Sequence, residues 1–239
     1  MSLLQAEGLT KKFSGLTAVD DVSLTVADKE FFGVVGPNGA GKTTLFSLIA
    51  GEVTPTHGRI IFDGTDITGW SADKVASVGL VRTFQLMRPF ESMTVLDNVA
   101  IASHQRFRSR SEARRHALAV IERVQLERYV NAPSASLPTA GLKRLELARA
   151  LALEPKLLLL DEVLAGLVPT ERAPMIELLR ELHADGLTVM FIEHIMAAVL
   201  ALSERLLVMH EGVELALGDP HKVTQDRAVV EAYLGEDYA

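Results

Sequence analysis

Short apolar runs that stop on glycine or on a charge recur along the 239-residue chain. Phe31–Gly36 (FFGVVG) has the look of a strand buried on both faces, as do Leu157–Glu162 (LLLLDE) and Leu187–His194 (LTVMFIEH). Residues 2–8 and 22–26 alternate enough to predict strands, and Gly58–Gly64 (GRIIFDG) is a strand between glycines. Helical spacing opens and closes on glycine at Gly41–Gly51. From about Met87 to Glu154 the pattern turns helical, through TVLDNVAIASHQR, RSEARRHALAVIERV and KRLELARAL. A helix of about 14 residues is predicted near Thr170–His183. Glu204–Gly218 reads as a hairpin turning at Glu211-Gly212, and RAVVEAYLG as a closing helix. Strand, helix, strand predicts parallel βαβ units, so the expected fold is an α/β core interrupted by a helical insertion. No internal repeat is visible.

Composition narrows this picture. The chain is 48% hydrophobic and 23% charged, with a net charge of −7, which disfavours a nucleic-acid partner. It has no cysteine, so disulfides, thiolate metal sites and cysteine nucleophiles are excluded. The opening MSLLQAEGLTKKF lacks the basic-then-apolar layout of a secretory signal. No apolar run approaches the roughly 18 residues that a membrane span needs. Work at a membrane is therefore expected to go through a partner.

Candidate chemistry begins at the end of the first buried strand. GPNGAGKTT, comprising Gly36, Pro37, Asn38, Gly39, Ala40, Gly41, Lys42, Thr43 and Thr44, fits G-x-x-x-x-G-K-[ST] between a strand and a helix. Small residues at 39–41 let the backbone curl so that its N–H groups point at phosphate oxygens, with a helix N-terminus behind them. Lys42 then supplies charge to the β- and γ-phosphates of ATP, and Thr43 offers a hydroxyl to Mg²⁺. LLLLDE delivers Asp161 as a second Mg²⁺ ligand and Glu162 to polarise the attacking water, since ligands gather at the carboxyl ends of parallel strands. His194 follows the next strand and suits either a capping or surface role or, in parallel topology, a hydrogen bond to the γ-phosphate or to the water. Gln85 suits either the metal site or ordinary surface, and Phe13 suits either an adenine platform or the core.

In this order the motifs resemble the ATP-binding subunits of ABC transporters, and the resemblance covers essentially the whole chain. It is carried by Phe13, GPNGAGKTT, RTFQ, a segment before KRLELARAL, LLLLDE and IEH. Within the family the chain is similar to the ATPases of branched-chain amino-acid importers, through GLVRTFQLMRPFESMTVLDNV, AGLVPTE and VVEAYLG. The resemblance implies a P-loop NTPase (RecA-like) α/β core with an antiparallel β subdomain and an inserted α-helical subdomain. Residues 1–86 and 155–218 would form the core and β subdomain, 87–154 the helical subdomain and 219–239 a helical tail. It further implies ATP hydrolysis with Mg²⁺ and a head-to-tail pairing with a second ATPase subunit. Transmembrane permease subunits and, indirectly, a periplasmic solute-binding protein would complete the machine. The location would be cytoplasmic, peripheral on the inner face of the membrane. Export ATPases, including those for lipopolysaccharide, share most of these motifs and form the alternative. A soluble ABC-type ATPase fits less well, because the chain lacks sustained heptads and a second ATPase domain.

The resemblance also exposes a departure. Family members carry an LSGGQ-like signature whose helix aims its N-terminus at the nucleotide of the other chain. Here Leu137 keeps the leucine, but Pro138, Thr139, Ala140 and Gly141 stand for the other four residues. The lost serine removes a hydrogen bond to a charged group, worth about 1.5–3 kcal/mol. The helix amides remain, and Thr139 is expected to cap the helix or reach phosphate itself. The same stretch also reads as an ordinary helix start. Val168 stands where the family usually has an aspartate that crosses the dimer interface, and Val163 where it has proline.

Overall fold

The computed structural model describes residues 2–83 and 89–234. Three parallel strands form its centre: β3 (Phe31–Val35), β7 (Leu157–Asp161) and β8 (Thr188–Ile192), every residue of which is buried. With β6 (Leu80–Arg82), β9 (Arg205–His210) and β10 (Val213–Gly218) they make a six-stranded sheet of order β10-β9-β3-β8-β7-β6. Only β10 runs antiparallel, closing the hairpin with β9 that the sequence predicts. A second, antiparallel sheet has the order β2-β1-β4-β5, built from β1 (Ser2–Phe13), β2 (Leu16–Ala27), β4 (His57–Phe62) and β5 (Thr65–Asp66).

The period-two geometry of a strand explains why the central runs are apolar at every position. Leu158 and Leu160 enter one core, together with Phe31, Phe191 and Val208. Leu157 and Leu159 enter the other, with Phe32, Met190 and Ile192. The antiparallel sheet and α1 (Lys42–Ile49) cover this second face, through Leu4, Val22, Ile60, Leu45 and Phe46. The first face is covered by α6 (Pro169–Ala184), α7 (Met196–Leu202) and the helical subdomain.

That subdomain packs α3 (Val95–Ser103), α4 (Arg110–Arg123) and α5 (Thr139–Leu151) against one another through Val99, Ala117, Ile121 and Leu145. α3 starts where it does because the Thr94 hydroxyl accepts the Asp97 N–H at 3.0 Å and donates to the Asp97 carboxylate at 2.7 Å. The fold is therefore an α/β core with an antiparallel β subdomain and an inserted helical subdomain. α2 (Ala72–Ser77), α8 (Pro220–Val223) and α9 (Arg227–Leu234) complete it. No helix among the described residues is long and apolar enough to cross a membrane.

Leu159 has no exposed surface and lies two residues before the acidic end of β7. Leu159→Ala is expected to cost about 2–5 kcal/mol of stability, read as a lowered urea midpoint at unchanged slope.

Candidate functional site

β3, β8 and β7 lie side by side and in parallel, so their carboxyl ends open on one edge of the sheet. The first leads into the glycine-rich loop, the second into Glu193 and His194, and the third ends on Asp161 and Glu162. A cavity of about 630 Å³ lies at this edge. Asn38 to Thr44, Glu162 and His194 line it, so three sequence segments named above meet in one place. Leu16, Thr17 and Ala18 of β2 and Glu211 of the β9–β10 turn complete its wall. None of those four belongs to a motif, and of them the sequence marks only Glu211, as a hairpin turn.

Backbone contacts hold the loop in its curled form. Gly36 and Gly41 both have positive φ, at 153° and 95°. A Cβ on Gly36 would run into the Met209 carbonyl, and one on Gly41 into the Ala18 carbonyl. The Gly212 N–H donates to the Ala40 oxygen at 3.2 Å, and the Asp20 N–H to the Gly212 oxygen at 2.8 Å. Loop, hairpin turn and β2 are thereby locked together. Lys42 is buried and curls back to donate to the Gly36 and Pro37 carbonyls at 2.7 and 2.9 Å. Burial holds its ammonium below the usual lysine range, and the carboxylates of Glu162 and Asp161 oppose that shift. Thr43 is exposed and Thr44 half-buried on the first turn of α1.

Glu162 stands in a left-handed backbone conformation, φ 52°, unusual for a residue with a side chain. Three bonds hold it there. Its N–H donates to the Ile192 carbonyl at 3.0 Å, its carbonyl accepts from the buried Lys143 ammonium at 3.2 Å, and its Oε1 accepts from His194 Nε2 at 2.9 Å. Asp161 is fully buried. Its Oδ2 accepts from Arg82 Nη2 at 2.7 Å, while Oδ1 has no hydrogen-bond partner among the described residues. Glu193 is buried between the two strand exits and accepts from the Leu164 N–H at 2.8 Å and the His194 N–H at 3.4 Å. Burial pushes its carboxyl above the usual carboxylate range, and those two amides work the other way.

Other expected residues lie elsewhere. Phe13 ends β1 with 44% of its surface exposed and does not line the cavity, although its strand partner Leu16 does. The Lys11 ammonium sits 5.0 Å from its ring centroid. Gln85 lies outside the described residues. Leu137 to Gly141 do not reach this cavity. Pro138, Ala140 and Gly141 border a separate one of about 320 Å³, with Arg128, Tyr129, Arg144 and the start of α6. The expectation that Thr139 caps α5 is corrected here. Pro138 holds the cap position, makes no side-chain cap bond, and Thr139 is the first helical residue.

A model of the ABC transporter family matches residues 19–165, more than half of the chain. The chain belongs to this family. It is an ABC-type ATPase. BraF of Pseudomonas aeruginosa, a high-affinity branched-chain amino acid transport ATP-binding protein, is 38% identical over 98% of both chains. LptB of Acidithiobacillus ferridurans, a lipopolysaccharide export system ATP-binding protein, is 34% identical over 99% of this chain and 98% of its own. The ADP conformation of MJ1267, an ATP-binding cassette of an ABC transporter, superposes with a TM-score of 0.91 at 32% identity, covering 99% of this chain and all of the other. The dimeric post-hydrolysis structure of the cassette MJ0796 bound to ADP and phosphate gives a TM-score of 0.82 at 25% identity, over 91% of this chain and 98% of the other. Cassettes of this family dimerise and work with permease subunits.

The Glu193 carboxyl gives a pH test. Its proton is held more tightly in the folded chain than in the unfolded one. The stability it contributes is present below the ordinary glutamate range and is lost as pH rises through its raised folded value. Glu193→Gln should therefore lose less stability than the parent between about pH 4 and neutrality, measured by urea unfolding at a series of pH values. Parallel pH profiles for the two chains would remove Glu193 as the source.

Proposed function

We propose that this cassette powers an importer for branched-chain or related amino acids, as one of a pair of ATPase subunits acting on membrane permeases from the cytoplasmic face. The observation that carries this reading is the full-length similarity to BraF, 38% over 98% of both chains. The long match to LptB supports lipopolysaccharide export as the second reading. The two separate when the cassette is reconstituted with its permeases in liposomes. ATPase activity should rise several-fold with a leucine-loaded binding protein and stay flat with lipopolysaccharide. The reverse response would establish the export reading.

In this reading Gly36 to Thr44 wrap the triphosphate, Lys42 leaves its loop carbonyls for the β- and γ-phosphates, and Phe13 or its neighbour Leu16 meets adenine. The residues present fit Mg²⁺: the Asp161 Oδ1 is buried without a hydrogen-bond partner among the described residues, and Thr43, an exposed residue with a hydroxyl, lines the cavity. Thr43, Asp161 and, beyond the described residues, Gln85 would hold the ion. Bound there, Mg²⁺ would spread the negative charge that builds up on the phosphates. Glu162 accepts the proton of the attacking water, and His194, already bonded to it at 2.9 Å, orients the pair toward the γ-phosphate. Removing such a base typically costs 10²–10⁴ in rate.

The signature segment sits away from the chain's own cavity, which supports its use by a partner's nucleotide. With Pro138 at the cap and no hydroxyl there, that partner site turns over more slowly than the site built on Lys42 and Glu162. Within the assembled pair, Glu162→Gln is expected to abolish most single-turnover hydrolysis, and the matching change in the partner far less. Equal losses would contradict the asymmetry. Pro138→Ser should add a helix cap worth about 0.5–2 kcal/mol, and raise turnover at the partner's nucleotide about ten- to hundredfold. A higher melting temperature with unchanged turnover would confine the serine's effect to the helix.

A further inference from the structure

Arg82 ends β6, one step before the segment that leads into the helical subdomain. Its guanidinium is nearly buried, with 8% of the side chain exposed. One prong, Nη2, reaches Asp161 Oδ2 on β7 at 2.7 Å. The other, Nη1, reaches Ser47 Oγ inside α1 at 2.7 Å and Glu52 Oε2 just beyond that helix at 2.6 Å. The Phe46 ring, also on α1, lies 5.9 Å from its central carbon. A planar fork fixes both directions at once, which a lysine cannot do.

These two prongs join the two elements that carry the proposed metal ligands. Asp161 belongs to β7 and Thr43 to the first turn of α1. No hydrogen bond between Asp161 and α1 is seen among the described residues, and Arg82 spans that gap. By occupying Oδ2 the guanidinium also leaves Oδ1 as the carboxylate's available oxygen. Arg82 is thus the side chain that ties one ligand-bearing element to the other by hydrogen bonds. Mg²⁺ requires oxygens at about 2.0–2.1 Å in near-octahedral array, whereas Ca²⁺ accepts about 2.3–2.6 Å and irregular geometry. A rigid spacing selects the smaller ion.

We propose that Arg82 is a positioning residue that fixes the spacing of the Thr43–Asp161 metal site through its fork onto Asp161 and onto Ser47 and Glu52, and thereby sets its preference for Mg²⁺ over Ca²⁺. The proposal rests on the nucleotide–metal reading of the site. The test is binding, not turnover. The full chain is titrated with a fluorescent methylanthraniloyl derivative of ADP in EDTA, in Mg²⁺ and in Ca²⁺. The double change Ser47→Ala with Glu52→Ala removes both acceptors of the α1 prong and leaves the Arg82–Asp161 pair in place, and Arg82→Lys keeps the charge without the fork. Both variants should bind the nucleotide in EDTA as the parent does. The ratio of the Mg²⁺-induced to the Ca²⁺-induced gain in affinity should fall about tenfold or more, the usual scale for a residue that orients a metal ligand. If Arg82→Lys does not fold, the Ser47→Ala, Glu52→Ala double variant carries the test alone. A parent chain whose nucleotide affinity ignores Mg²⁺ would overturn the metal site and this inference together. A parent that responds to Mg²⁺, beside variants with an unchanged ratio, would overturn the inference alone.

Discussion

A carboxylate at the end of a strand buried on both faces is taken out of water by the fold itself. Unpaired, it would cost several kcal/mol. Asp161 is in that position, with no exposed side-chain surface. Arg82 pairs one of its oxygens, and the Lys42 ammonium faces it electrostatically across the site. The arrangement of charge at the sheet edge follows from this need. Arg82 must be buried to reach Asp161, so it requires further acceptors, which Ser47 and Glu52 supply. Lys42 must be near both acidic groups, so the glycine-rich loop has to close over the end of β3. The polar network and the apolar strands are two sides of one constraint.

Backbone strain concentrates at the same edge. Glu162 leaves β7 in a left-handed turn, a conformation that costs on the order of 1–3 kcal/mol for a residue with a side chain. Donors and acceptors on three other segments hold it there: the Ile192 carbonyl, the Lys143 ammonium and the His194 ring. Lys143 belongs to α5, the helix whose N-terminus carries the altered signature. The peptide that presents the carboxylate is therefore tied to the helix that would face a partner's nucleotide. Glu193 adds a second tie, between Leu164 after β7 and His194 after β8.

The parts legible in sequence were those with a local signal. Four leucines before an acidic pair announce a strand buried on both faces, and G-x-x-x-x-G-K-T between strand and helix announces its own backbone. Short elements left little trace: β6 has three residues, β5 two and α8 four. They exist because a sheet edge or a neighbouring helix gives them partners, which no window of sequence contains. The Arg82–Asp161 pair spans 79 positions, and nothing near Arg82 in sequence signals a buried acid. Thr139 misled for a related reason. Threonine is a good cap, but α5 begins one residue earlier than that role requires, with Pro138 at the cap. Phe13 was open between platform and core, and it is neither buried nor in the cavity wall.

Two of the departures from the family pattern, Pro138 and Val168, are 30 positions apart but close in the fold. Gly166 approaches the start of α5, where a Cβ on it would lie 3.9 Å from the Thr139 methyl. Two residues on, Val168 opens α6 with 53% of its surface exposed, an apolar side chain on a surface position. The signature segment and the loop after β7 thus lie side by side, with Pro138 and Val168 where the family pattern has a serine and an aspartate. A chain that met a second copy of itself across that face would place two weakened signatures on two intact cradles. A different partner, carrying its own hydroxyl and carboxylate, would leave at least the Lys42–Glu162 site fully equipped. Which of the two pairings forms therefore decides whether one site or both would meet the altered segment.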